Sequence, residues 1–180
     1  EVVYEDDGQS EIAARFYAII RLKMVTDRLR RANHKLQILS STDELTGLNN
    51  MRFFYSDYAR AMAACRKGDR DIGVIMFDLD YFKSINDQSS HLVGSYVIAE
   101  IGKLVKYSGI LGSSDVAARY GGDEYIIMTN DFHINQLTEK TEAIRKLIAN
   151  ATFMKDGASY NVTASMGCAW VERGFKGGAE

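Results

Sequence analysis

Apolar residues recur along the first forty positions in alternating steps of four and three: Ala18, Leu22, Val25, Leu29, Ala32, Leu36 and Leu39. That spacing is the a/d seam of a coiled coil. Arg21, Lys23, Asp27, Arg28, Arg30, Arg31 and Lys35 lie between them and predict a solvated face. Two arrangements fit: a parallel dimeric stalk, which the narrow, regular seam favours, and a single amphipathic helix packed on its own domain. Residues 1–9 read as the frayed end of something upstream. The stalk stops at Ser40-Ser41-Thr42-Asp43, where Thr42 or Asp43 can cap a short turn, and Gly47-Leu48-Asn49-Asn50 forms a break.

The pattern then alternates between the two periods. A helix is predicted over 51–66, with Phe54, Tyr58, Met62 and Cys65 on one face, followed by a turn at Lys67-Gly68-Asp69-Arg70. Ile72-Gly73-Val74-Ile75-Met76-Phe77 is an unbroken apolar run, as in a strand buried on both faces, and Asp78-Leu79-Asp80 closes it. A second helix is predicted over 91–107. Val116–Tyr120 and Tyr125–Met128, joined tightly through Gly-Gly-Asp, predict a hairpin. Residues 134–150 carry Leu137, Ile144, Leu147 and Ile148 at helical spacing, and Tyr160–Trp170 is a last strand region. Together these predict an α/β (α+β) fold: a central mixed sheet with a β-hairpin, flanked by helices and preceded by a coiled-coil helix. The predicted division is a helical stalk over 1–41 and a second domain over 42–180.

Composition narrows the classes. The 180 residues are 46 % apolar, enough for a packed core, and the net charge of −2 gives no reason to expect nucleic acid or a polybasic membrane contact. Cys65 and Cys168 match no metal-ligand or redox spacing and are expected to be reduced core thiols. No apolar run reaches the roughly 18–20 residues that span a bilayer, and no signal-peptide pattern opens the chain. The chain begins at Glu1, so it is expected to be part of a longer protein. It has no proline, which leaves turns to Gly, Asn, Asp and Ser.

Two acidic turns carry candidate chemistry: Asp78-Leu79-Asp80 at the end of the first central strand, and Asp123-Glu124 at the hairpin tip. If those strands are neighbours, three or four carboxylates meet at one sheet edge and repel each other unless a cation neutralises them. Few, hard oxygen ligands suit Mg²⁺ with retained waters and phosphate co-ligands. Gly121 and Gly122 are expected to take positive φ and to leave room for a bound group. Tyr81-Phe82-Lys83 offers backbone N–H groups and a cation to phosphate. Taken alone, each acidic turn is equally an ordinary solvated turn. Their joint appearance, with Asn86 and His91 nearby, favours a site.

RYGGDEY (119–125) resembles the signature hairpin of the GGDEF domains, the diguanylate cyclase family, with Tyr125 in place of the usual Phe. FDLDYFKSINDQSSHLVGS resembles that family's second motif, TDELTGLNN its opening motif, and VTASMGCA its last core strand. The match runs from about Thr42 to Trp170, with the motifs in the family's order. The resemblance implies a nucleotidyl cyclase palm-like fold in which two subunits face each other. Each 3′-hydroxyl then attacks the α-phosphate of the nucleotide held by the other subunit. It implies Asp78 and Asp123 as ligands of Mg²⁺ (or Mn²⁺), assisted by the carbonyl of Leu79. Asp123, with Glu124 the alternative, would help deprotonate the 3′-hydroxyl, and Lys83 would stabilise phosphate charge. Phe82 would lend backbone contacts to the phosphates, and Asn86 and His91 would line the nucleoside pocket. A homodimer joined through the stalk, an upstream sensory or receiver domain, and the bacterial cytoplasm are implied as context.

Three departures from the family pattern stand out. The second motif usually ends in Gly-Asp; here it ends in Gly94-Ser95. That Asp accepts from the two donors on guanine's Watson–Crick edge. A carboxylate only accepts, whereas the Ser95 hydroxyl also donates and can meet the N1 acceptor of adenine. At this position the chain resembles the hybrid promiscuous (Hypr) GGDEF enzymes, which join GTP and ATP into 3′,3′-cyclic GMP–AMP. The family's inhibitory Arg-x-x-Asp is here Gly112-Ser113-Ser114-Asp115, so the guanidinium that would grip the product is missing, and weak or no feedback inhibition is expected. The family's C-terminal helix, with a Lys and an Arg for the terminal phosphates, has no counterpart before Glu180. Three functional readings follow: a cyclic GMP–AMP synthase with cyclic di-GMP and cyclic di-AMP alongside, a plain diguanylate cyclase, and a catalytically weak nucleotide-binding signalling module.

Overall fold

A computed structural model describes the backbone of residues 7–39, 41–130 and 133–177, with the side chains of residues 14–31 and of the two later stretches. The chain divides into two compact units, Glu1–Ser40 and Ser41–Glu180. The first is a single helix, α1 (Asp7–Leu39). Its seam residues Leu22, Val25 and Leu29 are 69 %, 56 % and 68 % exposed. The side chains of Ala32, Leu36 and Leu39, like residues 1–6, lie outside the described residues. No helix among the described residues is long and apolar enough to cross a membrane.

The second unit opens on the turn expected at Thr42-Asp43. Asp43 Oδ1 accepts from the Thr46 N–H at 2.9 Å and from its hydroxyl at 2.7 Å. Helix α2 (Met51–Lys67) then starts at Asn50, whose side chain accepts from the Phe53 N–H. It ends at Gly68, whose φ of 87° closes the C-terminus as only glycine does without strain. Strand β1 (Ile72–Leu79), helix α3 (Phe82–Gln88), helix α4 (His91–Tyr107), strands β2 (Val116–Gly121) and β3 (Glu124–Asn130), and helix α5 (Ile134–Ala149) follow. Strands β4 (Phe153–Lys155), β5 (Ala158–Tyr160) and β6 (Ala164–Val171) complete the unit.

The main sheet has the order β2-β3-β1-β6. Its named strands pair antiparallel throughout rather than forming the expected mixed sheet; among the described residues the parallel element is a single bridge between Asn49 and Ala118. The expected last strand region is two pieces, because Ala158–Tyr160 folds back on β4 as a separate hairpin before β6 begins.

Alternation along β1 gives the sheet two apolar faces. Ile75, Phe77 and Leu79 face Val97, Ile101 and Val105 of α4 and Leu137, Ile144 and Ile148 of α5. Ile72 faces the other way, with Val116, Ala118 and Met128, onto Phe54, Ala61 and Cys65 of α2. Cys65 is thus the core thiol expected. Cys168 is not: it lies on the edge strand β6 and is exposed.

Candidate active site

The register brings the two acidic turns together. β1 and β3 are neighbours, and Asp78 at the end of β1 stands opposite Glu124 at the start of β3. The Asp78 carboxyl is pushed above its ordinary value, first by the desolvation its neighbours impose, then by repulsion from Asp123, Glu124 and Asp80.

Asp80 does not complete the cluster as a free ligand. Its two carboxylate oxygens accept from the hydroxyls of Ser165 and Thr163, each at 2.6 Å, and its N–H donates to the Thr163 carbonyl. Those hydroxyl bonds hold the Asp80 carboxyl below its ordinary value. Asp80 therefore ties the end of β1 to β6. Among the described residues no group of three His, Cys, Asp or Glu side chains forms a metal site by itself. Mg²⁺ needs no such group, since it binds through one or two carboxylates plus phosphate and water. Asp78 and Asp123 are two mutually repelling carboxylates and fit that donor set, with the Leu79 carbonyl adjacent to Asp78 in the chain.

The hairpin tip is shaped by one glycine. Gly122 has φ +47°, whereas Gly121 is not in the left-handed region, contrary to the expectation for both. Arg119, unremarked in the sequence beyond its charge, fixes the turn: its Nε and Nη2 both donate to the Gly122 carbonyl, at 2.9 and 2.7 Å. Its Nη1 also lies 3.6 Å from the Asp43 carboxylate in the opening turn.

Beside the tip is a cavity of about 340 Å³. Phe82, Lys83 and Asn86 line it from α3, His91, Gly94, Ser95 and Ile98 from α4, and Gly122 and Asp123 from the hairpin. Phe82, Lys83, Asn86, His91 and Ser95, expected to meet the nucleotide, share that lining with Asp123, whereas Glu124 and Leu79 are outside it and Asp78 lines a separate cavity with Ser165. Helix α3 itself was not legible in the sequence. It starts at Tyr81, a non-glycine residue at φ +55°, with no side-chain cap. Ser90 caps α4 by accepting from the Val93 N–H, which sets His91 at the helix start and Ser95 one turn further. Gly94 is required by closeness: a Cβ there would stand 2.0 Å from Asn86 Oδ1. Only a glycine lets the Asn86 amide lie against α4 beside Ser95.

Gly112 and Asp115 lie elsewhere, on a separate cavity of about 240 Å³ with Lys106 and Asn49. The Asp115 carboxylate is buried. It accepts from the Gly112 N–H at 2.8 Å and pairs with Lys140 of α5.

A domain of this topology, with a Gly-Asp-Glu hairpin at the rim of a small cavity, defines a class. The model of the family "Diguanylate cyclase, GGDEF domain" matches residues 40–177, and the chain belongs to that family. Diguanylate cyclase A of Treponema denticola is 32 % identical over 138 residues, which are 75 % of this chain and 37 % of that protein. Response regulator PleD of Caulobacter vibrioides is 31 % identical over 160 residues, 87 % of this chain and 35 % of that protein. The chain thus spans little more than a third of either relative. Among solved structures, the GGDEF domain of DgcB from Caulobacter crescentus, in complex with c-di-GMP, superposes with a TM-score of 0.69 at 27 % identity. That match covers 76 % of this chain and 80 % of the other.

Proposed function

We propose that this chain is the catalytic unit of a Mg²⁺-dependent bacterial cyclic dinucleotide synthase. It joins GTP and ATP into 3′,3′-cyclic GMP–AMP and makes cyclic di-GMP as a side product. The observation that carries the choice of bases is Ser95, which lines the same cavity as Asn86 and His91. A carboxylate at that position would select guanine, whose edge offers two donors. A hydroxyl turns to donate or accept and serves both purines.

The chemistry is phosphoryl transfer by positioning. Asn86, His91 and Ser95 hold the base, and Phe82 and Lys83 meet the phosphates. Asp78, the Leu79 carbonyl and Asp123 would hold the metal, which supplies Lewis-acid stabilisation of charge on the phosphates. Asp123, or Glu124 in its place, takes the proton from the 3′-hydroxyl. That oxygen bonds to the α-phosphorus of the nucleotide on the facing subunit, and pyrophosphate leaves. The same step in the other direction closes the ring with a second pyrophosphate. Two subunits are needed, and the four-and-three spacing of Leu22, Val25 and Leu29, all exposed on α1, supports a stalk dimer.

The relatives named diguanylate cyclases favour a second reading, in which the product is cyclic di-GMP alone. Replacing Ser95→Asp separates the two. On the first reading the substitution shifts products from cyclic GMP–AMP toward cyclic di-GMP. A product ratio that does not move rejects this assignment of base selection.

A further inference from the structure

Tyr125 stands where the family usually has Phe, immediately after Asp123-Glu124. Its ring is buried and stacks on Phe77 of β1, with centroids 4.8 Å apart and planes 6° from parallel. A phenylalanine would make the same stack. The hydroxyl is the difference, and a buried hydroxyl costs free energy unless it is bonded. Here it donates to the main-chain carbonyl of Ile98 at 3.0 Å.

The acceptor is placed to matter. Ile98 sits three residues beyond Ser95 on α4 and lines the same cavity. A helix carbonyl has a second lone pair to offer, so the bond adds to α4 without opening it. One end of the link is next to the acids of the hairpin tip. The other is in the turn of α4 that meets the base.

We infer that Tyr125 is a positioning residue: its hydroxyl fixes the hairpin carrying Asp123 and Glu124 against the turn of α4 carrying Ser95. This rests on the proposed function, in which the hairpin acts on the phosphates while α4 holds the base. In-line attack requires both ends of one nucleotide to be registered together, and displacements of about 1 Å there cost up to 10²-fold in rate. Tyr125 supplies that registration from behind the cavity, whose lining includes Ile98 but not Tyr125 itself.

Tyr125→Phe is the test, since it keeps the ring and the stack and so the fold. Amide exchange is compared between wild type and variant without nucleotide, and turnover is measured with Mg²⁺, GTP and ATP. Affinity is read with 3′-deoxy-GTP, which lacks the attacking hydroxyl. The expected result is faster exchange in both 91–98 and 119–125, with kcat lower by about fivefold, the worth of one hydrogen bond. The affinity for 3′-deoxy-GTP should stay within about twofold of wild type, since one neutral bond remote from the ligand is lost. A merely structural tyrosine would lower the melting temperature and leave kcat alone, which overturns the inference. So does unchanged exchange in either segment. A wild type that makes no cyclic dinucleotide rejects the proposed function itself and, with it, the role assigned to the link. An active wild type matched by an equally active variant rejects only the link.

Discussion

Asp78 on β1 stands directly opposite Glu124 on β3, two like charges on one rung of an antiparallel ladder. Like charges so placed destabilise a sheet by up to about 1 kcal/mol. Desolvation first, then repulsion from Asp123 and, behind it, from Glu124, makes the folded state hold the Asp78 proton more tightly than the unfolded chain does. Its charge opposes folding as the pH rises above the ordinary carboxylate value of 3.8 and through the raised one. Asp78→Asn should therefore raise the unfolding free energy at neutral pH by about 1 kcal/mol in the absence of metal, and should abolish product formation. Thermal unfolding and a cyclase assay read the two effects. A variant that is less stable than wild type would show that the acids are not in conflict.

Acid should find a different weak point at the far end of β1. Asp71 is buried, accepts from the Arg173 N–H at 2.8 Å and from its guanidinium at 2.9 and 3.1 Å, and is held below its ordinary value by those bonds. A carboxylate with a lowered folded pKa contributes stability above its unfolded value of 3.8 that is lost as the pH falls through the folded one. Arg173→Met should cost about 2 kcal/mol at pH 7, below the range for fully buried pairs because Arg173 is half exposed. The gap between variant and wild type should narrow steadily below pH 4 in denaturant titrations. A gap independent of pH would contradict the pairing.

The altered Arg-x-x-Asp stretch predicts insensitivity to product. Asp115 is occupied by Lys140 and by the Gly112 N–H, and no arginine stands at 112 to grip a guanine. Added cyclic di-GMP in large excess over the enzyme should leave initial rates unchanged. Non-competitive inhibition by cyclic di-GMP would show that this cavity still binds it.

Much of the fold was legible because local chemistry announces it. The bounds of α2, α4 and α5 follow from the break at Asn50, the turn at Gly68 and the 3.6-residue spacing, and β1 and the hairpin follow from their apolar runs. Helix α3 escaped because it is seven residues long, and β4 and β5 because strands of three residues carry no period. Strand pairing between distant segments leaves no local mark, which is why the sheet read as mixed and Cys168 as buried. In the site, Phe82, Lys83, Asn86, His91, Ser95 and Asp123, given their roles by the resemblance to the family's motifs, line one cavity. What the sequence could not show were partners chosen by tertiary contact: Asp80 turned to Thr163 and Ser165, Arg119 closing the turn, Gly94 making room for Asn86, and Tyr125 reaching Ile98.

The choice of substrates is decided by incubating the full-length protein with Mg²⁺ and equimolar GTP and ATP and resolving the products by mass. The predicted result is 3′,3′-cyclic GMP–AMP as a major product, with cyclic di-GMP beside it. Cyclic di-GMP alone would contradict the role given to Ser95, and no cyclic dinucleotide at all would contradict the enzyme.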